Sequence, residues 1–331
     1  MAIGQQENKT IGLPQTTKKN RRKRLRLIIP AYPAFNIYSS IAKITTALGP
    51  VSIATTVNEI PMWDAEVIDE NNFRRGPKDE LNRPDHTILQ NLRPADVVGI
   101  YGGLTSTIPR LFEIASLYKK LGVPIIAGGQ HFVKETIEEA LKNSIDFIVL
   151  GEGEVTIKEL IEYFDGQRDK TQLHGVVYID NGKIIQTEPL PPVEDFDRFP
   201  IPDFSLVRGA QISLYPVGRV RGCGMNCEFC TVKGKPRYAS PERLMEQFAS
   251  LYEKLGARNF FIVDDLFGQD RSETLRLCNM LANYQQKMHV HFSITVQIRL
   301  DKARDKELLS AMYKAGINTC LLYTSPSPRD S

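Results

Sequence analysis

The chain has 331 residues, 42% hydrophobic and 24% charged, the balance of a globular protein with room for two ordinary domains and a substantial core. Its formal net charge of +3 conceals an asymmetry, because seven basic residues between Lys18 and Arg26 leave the remainder net acidic. No apolar run of about eighteen residues is present, which excludes a membrane-spanning helix, and the start carries no apolar signal core. Five cysteines, three of them clustered, do not make a disulfide framework and fit a reducing cytoplasm.

Residues 1–24 are polar and end in the basic run, and they read as a disordered basic leader. No aromatic residues interleave those charges, so a nucleic-acid partner is not expected. From Leu25 strands and helices alternate. Leu27–Ile29 reads as a short buried strand stopped by Pro30, and 36–48 as the helix after it. Further strands are expected at 65–69, 96–101, 124–127 and 146–150, with helices at 108–121, 134–141 and 156–164. Strands separated by helices imply crossover connections, so residues 25–165 read as one doubly wound, Rossmann-like α/β domain with a parallel sheet. Ligands of such sheets bind at the carboxyl ends of the strands. Those ends carry Gly102, Gly103, Thr105 and Ser106, then Gly128, Gly129 and His131, then Gly151, Glu152, Gly153 and Glu154. A glycine pair alone serves any tight turn, but three such turns in register point to a ligand. His131 reads alternatively as a helix cap, and Glu152 and Glu154 as partners of a helix dipole.

Residues 166–208 form a hairpin and proline-rich linker. Val176–Ile179 and Lys183–Ile185 flank Asn181-Gly182, a strong hairpin signal, and 189–202 is rich in proline and acid. Residues 209–320 resume the alternation. Strands are expected at 213–217, 260–263 and 291–296 and from Gly316, with helices at 241–255, 271–287 and 306–315. Ser240 is the expected N-cap of the first helix and Pro241 its first-turn residue. This cadence is that of a partial (β/α) barrel, whose sites lie at strand carboxyl ends, where Asp264, Asp265, Gln297 and Arg299 stand. Residues 321–331 break the pattern with two prolines and resemble translated sequencing-adapter sequence. They are expected to be an aberrant tail on a C-terminally truncated barrel.

Within this half lies Arg219-Val-Arg-Gly-Cys-Gly-Met-Asn-Cys-Glu-Phe-Cys-Thr231, with Cys223, Cys227 and Cys230 in C-x3-C-x2-C spacing. Three thiolates on one loop hold three corners of an iron–sulfur cube and leave one iron open, whereas a structural zinc wants a closed set of four. The zinc alternative would have to be completed by Cys278 or a histidine, and Cys278 sits at core spacing within a helix. Lys233 and Arg237, just past the loop, favour an anion there or simply face water.

The cysteine spacing, with Phe229 before the last cysteine, resembles the radical S-adenosylmethionine (radical SAM) family. Gly122-Val-Pro124, Gly128-Gly-Gln-His131 and Gly151-Glu-Gly-Glu154 resemble, in order, the cobalamin-binding domain that precedes the radical SAM core in one subgroup. The two resemblances cover roughly residues 25–165 and 210–320. They imply a 4Fe-4S cluster with Cys223, Cys227 and Cys230 as its metal ligands, and SAM bound through its amino and carboxylate groups to the open iron. Reductive cleavage of SAM to a deoxyadenosyl radical is implied as well. Cobalamin is implied at residues 102–106, 128–131 and 151–154, and contacts to SAM or substrate at Asp264, Asp265, Gln297 and Arg299. Cobalamin domains of the methionine-synthase kind carry a cobalt-ligating histidine after the first strand; the loop Pro30–Asn36 has none, so a cobalt free of that ligand is implied.

The implied activity is that of an enzyme, most simply a methyltransferase acting on an unactivated carbon. Cyclisation or rearrangement by the same subgroup, and a non-catalytic cobalamin or iron–sulfur sensor, are the alternatives. Methylthio transfer to tRNA is disfavoured because no cysteine precedes Cys223. A small-molecule substrate and an electron donor of flavodoxin or ferredoxin type are the implied partners. No residue is assigned to catalysis itself.

Overall fold

The computed structural model describes residues 21–323 except 35, 37, 226, 227, 229, 231 and 233. The leader up to residue 20, Cys227, Phe229, Lys233 and the tail from 324 onward therefore lie outside the described residues.

The first strand, β1 (Lys23–Ile29), begins two residues before the hydrophobic pattern does. Its basic residues enter a sheet because their acids stand opposite them on β2 (Trp63–Asp69), with Arg24 in register with Asp64 and Arg26 with Glu66. Arg24 bonds Asp64 at 2.8 Å, and the fully buried Arg26 bonds Glu66 at 2.8 Å and the Tyr118 hydroxyl at 2.9 Å. Directly opposed unlike charges are favourable cross-strand pairs. Leu25, Leu27 and Ile29 alternate with them and face the other side, into the core.

The helix expected at 36–48 is replaced by a single turn, α1 (Ser39–Ala42), and a longer helix further on, α2 (Leu48–Asn58). Pro50 lies in the first turn of α2, where a missing N–H leaves no helical bond unmade, so Gly49-Pro50 opens a helix instead of closing one. Val51, Ala54 and Val57 bury against the sheet. After β2 comes α3 (His86–Leu92), not foreseen from the sequence, capped by Asp85 accepting from the Ile88 N–H at 2.9 Å. The unit continues through β3 (Val97–Tyr101), α4 (Ile108–Lys120), β4 (Ile125–Gly128), α5 (Ile137–Lys142), β5 (Phe147–Val149) and α6 (Gly153–Phe164). The hairpin strands β6 (Val176–Asp180) and β7 (Lys183–Gln186) extend this same sheet, β6 pairing antiparallel with β5. The hairpin expected between the domains is thus part of the first sheet. The strand order is β2-β1-β3-β4-β5-β6-β7, parallel through β5, which puts the reversal of winding between β1 and β3.

The second unit starts at β8 (Tyr215–Val217), followed by the short arms β9 (Val220–Arg221) and β10 (Arg237–Tyr238), which pair antiparallel. Then come α7 (Pro241–Leu255), β11 (Asn259–Ile262), α8 (Arg271–Met288), β12 (Ser293–Arg299), α9 (Lys306–Lys314) and β13 (Ile317–Tyr323). Ser240 caps α7, its side chain accepting from the Arg243 N–H at 3.1 Å. The strands β8, β11, β12 and β13 lie side by side in chain order, all parallel, as in part of a (β/α) barrel.

One hydrophobic core runs through both units, from Leu25, Leu27 and Val67 of the first sheet to Leu244, Phe248 and Phe260 of the second. The segment before β8 joins them: Phe204, Leu206 and Val207 are buried in that core, and the Arg208 N–H donates to the Val67 carbonyl at 2.8 Å. The Asp203 N–H likewise donates to the Thr55 hydroxyl at 2.8 Å. Among the described residues no helix is long and apolar enough to cross a membrane.

Candidate cofactor site

A cavity of about 560 Å³ lies where the carboxyl ends of both parallel sheets meet. Its inner part is apolar, with Leu27, Gly99, Ile126 and Val149 of the first sheet facing Leu48 and Ile53 of α2 and Ile157 of α6. This is the crevice beside the reversal point of an open sheet, the usual ligand position. Gly99 lets Leu27 pack closely over the strand, since a Cβ there would meet Leu27 Cδ2 at 2.5 Å.

Two of the three glycine turns line the cavity, the residues 128–130 after β4 and 151–154 after β5. The third, after β3, stands behind them. Gly102 donates from its N–H to the Gly128 carbonyl at 2.8 Å and accepts from the His131 N–H at 3.0 Å. Gly129 has φ +129°, and a Cβ on it would stand 2.5 Å from the Gly102 carbonyl oxygen, so the two turns touch backbone to backbone. Gly103, Thr105, Ser106 and His131 are outside the lining. The Thr105 hydroxyl and His131 Nδ1 are 3.2 Å apart, Ser106 accepts from the Asn36 side chain at 3.1 Å, and burial lowers the His131 pKa.

The opposite wall is the base of the cysteine loop, from Gly218 to Gly222, with Asp264 and Asp265 behind it. The Asp264 Oδ1 accepts from the Arg219 N–H at 2.6 Å and the Val220 N–H at 2.9 Å, and Asp265 Oδ2 accepts from the Gly222 N–H at 2.7 Å. Burial pushes the Asp264 carboxyl up to about 6 despite those hydrogen bonds, and raises Asp265 for the same reason. Both aspartates hold the backbone that leads into the loop. Gln297, one strand further, donates to the Asp264 carbonyl at 3.2 Å, while Arg299 donates to the Met225 sulfur at 3.2 Å; neither lines the cavity. Gln269, which the sequence did not single out, donates to the Cys223 carbonyl.

The loop itself is closed at its base by the β9–β10 pair and by the Gly224 N–H donating to the Gly234 carbonyl at 3.2 Å. Cys223 and Cys230 are free and partly exposed, and their loop borders the cavity through Gly222 and Val232. Cys278 is buried in α8, its thiol pushed up to about 12 by burial, so it is a core residue and no ready ligand for a zinc ion. Among the described residues no third His, Cys, Asp or Glu joins Cys223 and Cys230 in a metal-sized group, Cys227 lying outside them.

Among the described residues, every charged side chain on the cavity wall already has a protein partner. Glu152 and Glu154 pair with Arg221, and Glu152 also with Arg237 at 2.9 Å. Arg219 donates to the Ala239 carbonyl at 2.9 Å, and Arg243 to the Phe199 carbonyl. The site therefore offers a ligand apolar faces and glycine backbone more than free charge. That suits a large, mostly neutral molecule.

No protein-family model matches the chain. It is 28% identical over 309 residues to an uncharacterized methyltransferase of Pyrococcus horikoshii, an overlap of 88% of this chain and 64% of that protein. It is 26% identical over 208 residues to the anaerobic magnesium-protoporphyrin IX monomethyl ester cyclase of Cereibacter sphaeroides, covering 58% of this chain and 33% of the cyclase. Among solved structures it superimposes on the radical S-adenosylmethionine methyltransferase TsrM from Kitasatospora setae, with tryptophan substrate and a SAM analogue bound. The TM-score is 0.72 at 17% identity, over 93% of this chain and 60% of that one. It also superimposes on the cobalamin-dependent S-adenosylmethionine radical enzyme OxsB with aqua-cobalamin and S-adenosylmethionine bound. There the TM-score is 0.66 at 16% identity, over 91% of this chain and 43% of OxsB. The chain thus spans less than two thirds of the length of the relatives it matches. Its fold is that of the cobalamin-dependent radical SAM proteins, and in sequence it is a relative of methyltransferases and cyclases.

Proposed function

We propose that this chain is the cofactor-binding part of a cobalamin-dependent radical SAM enzyme that transfers a methyl group to an unactivated carbon of a small molecule. The observation that carries the reading is the placement of the cavity, walled by glycine turns of a doubly wound sheet on one side and by the base of a three-cysteine loop on the other. A radical reaction that also uses a corrin needs both cofactors to face one substrate.

The residues fit both groups. Cys223, Cys227 and Cys230 would hold the 4Fe-4S cluster; three soft thiolates suit iron–sulfur, and Cys278 is not placed to close a zinc site. The apolar crevice between α2, α6 and the sheet would take the planar tail of cobalamin, with the turns at 128–130 and 151–154 beside the macrocycle. When bound, the cluster with SAM supplies one-electron cleavage of the sulfonium, and cobalamin supplies methyl carriage. The chain's own part is positional. Asp264 and Asp265 fix the strand entering the cysteine loop, Gly129 and Gly102 lock two turns together, and the buried Phe196 and Phe199 line one side of the cavity.

The relatedness to a cyclase supports a second reading, radical ring closure by the same cofactors. A reducing cytoplasm and a flavodoxin- or ferredoxin-type electron donor go with either chemistry. The deciding experiment is anaerobic reconstitution with iron and sulfide, then incubation with hydroxocobalamin, SAM and a strong reductant. Bound corrin absorbance and release of 5′-deoxyadenosine are expected. A reconstituted cluster that never cleaves SAM would leave only a sensor.

A further inference from the structure

We propose that the Gly151–Glu154 turn is a latch that seats the cysteine loop, with Glu152 and Glu154 acting as positioning residues and not as ligands of the molecule in the cavity. The inference rests on the cofactor reading only in taking the loop between β9 and β10 as the seat of the cluster.

Arg221 and Arg237 face each other directly across the β9–β10 ladder, immediately outside the loop. Two guanidinium groups at opposed positions of a two-stranded ladder repel unless something neutralises them. The turn supplies the two carboxylates. Glu154 is bonded by Arg221 through both oxygens, at 3.2 Å to Oε2 and more closely to Oε1, which also accepts from the Ser52 hydroxyl at 2.9 Å. Glu152 Oε1 lies 3.4 Å from Arg221 and 2.9 Å from Arg237, while its Oε2 accepts from the Val193 N–H at 2.8 Å. Arg237 closes the ring by donating to the Val193 carbonyl at 2.6 Å. The Phe196 ring lies under both cations, 4.7 Å from Arg221 and 5.3 Å from Arg237.

Charge, geometry and lone pairs agree. Two cations meet two anions, and the four carboxylate oxygens are all engaged by protein donors, which leaves little for a ligand to use. The Glu154 side chain is only 4% exposed, so its interactions are little screened. The same turn lines the cavity, so filling the cavity and ordering the loop are energetically linked, each favouring the other.

The test is hydrogen–deuterium exchange on the full chain without cofactors, comparing the parent with Glu154→Gln, Glu152→Gln and Arg221→Lys, beside absorbance titration with hydroxocobalamin. In Glu154→Gln the amides of residues 219–224 and 234–239 are expected to exchange at least about tenfold faster, while those of β3 are unchanged. Arg221→Lys, which keeps the charge, should fall closer to the parent, and corrin affinity should fall only in variants whose ladder has loosened. Should Glu154→Gln fail to fold, Glu152→Gln, with its more accessible carboxylate, carries the same expectation. Unaltered exchange at the ladder overturns the latch, and so does a tenfold or greater loss of corrin affinity with the ladder intact, for then the carboxylates serve the ligand. If the parent itself takes up no hydroxocobalamin, the cofactor reading fails separately and the exchange arm still decides the latch.

Discussion

Gly129 and Gly151 both line the cavity and both have positive φ, yet they should respond very differently to a methyl group. At Gly151, with φ +78°, an added Cβ meets nothing within 4 Å, so Gly151→Ala costs only the left-handed conformation, about 1 kcal/mol. At Gly129 the Cβ would stand 2.5 Å from the Gly102 oxygen and 2.7 Å from its carbonyl carbon. Those are backbone atoms held by two hydrogen bonds, so the turns must part. A clash of that kind adds about 1–3 kcal/mol to a conformational strain of similar size, giving about 2–6 kcal/mol for Gly129→Ala. Urea unfolding of the chain without cofactors, followed by the fluorescence of Trp63, reads this directly. Trp63 is the single tryptophan, fully buried at the start of β2 with its indole N–H donating to Asp165 at 2.9 Å. A Gly129→Ala variant no less stable than Gly151→Ala would show that the two turns are not locked backbone to backbone.

Cys223→Ala and Cys230→Ala should each abolish iron–sulfur absorbance after reconstitution. Cys278→Ser should leave iron content intact but lower stability by about 1–3 kcal/mol, through a hydroxyl placed in the core. Arg26→Ala strands Glu66 in the interior with Arg93 as its remaining cation, and should cost about 3–5 kcal/mol in the same urea assay. Burial holds the folded-state Asp69 carboxyl up at about 6 against 3.8 for the free group, so the native state binds the proton more tightly. Stability must then fall as pH rises from about 4 to about 6, by about 3 kcal/mol for this group, and Asp69→Asn should remove that part of the decline. A variant whose stability still falls as steeply as the parent's over that window would contradict the assignment.

The parallel sheet and the cysteine loop were legible because each rests on local pattern: apolar runs between amphipathic helices, and thiols at fixed spacing. Other parts failed for physical reasons. The opening of β1 reads as a charged leader until Asp64 and Glu66 are seen to stand opposite Arg24 and Arg26, and that register belongs to the sheet. Gly49-Pro50 reads as a stop, although a proline within the first turn is equally a start, and only the burial of Val51, Ala54 and Val57 decides between them. The helix at 86–92 is too short and too polar to declare itself by periodicity, and Asp85 as its cap is the one signal that was available. The Asn181-Gly182 turn was readable, but not the edge its hairpin would join, because that depends on the exposed side of β5.

The polar residues at the strand ends show where sequence reasoning is weakest. Asp264, Asp265, Glu152 and Glu154 all sit where a ligand would be sought, and local sequence offers the aspartates a ligand or a helix cap and the glutamates a ligand or a helix dipole. The structure gives Asp264 and Asp265 backbone N–H groups to hold, and gives both glutamates the guanidinium of Arg221, 69 residues beyond Glu152 and 67 beyond Glu154. A carboxylate buried beside a binding cavity has to be neutralised whether or not a ligand is present, or the apo protein would bear its full desolvation cost. It follows that partners within the chain are the first expectation for such residues. Recognition of a large neutral ligand then passes to surfaces that cost little to leave empty, here glycine backbone and the apolar crevice between α2 and the sheet.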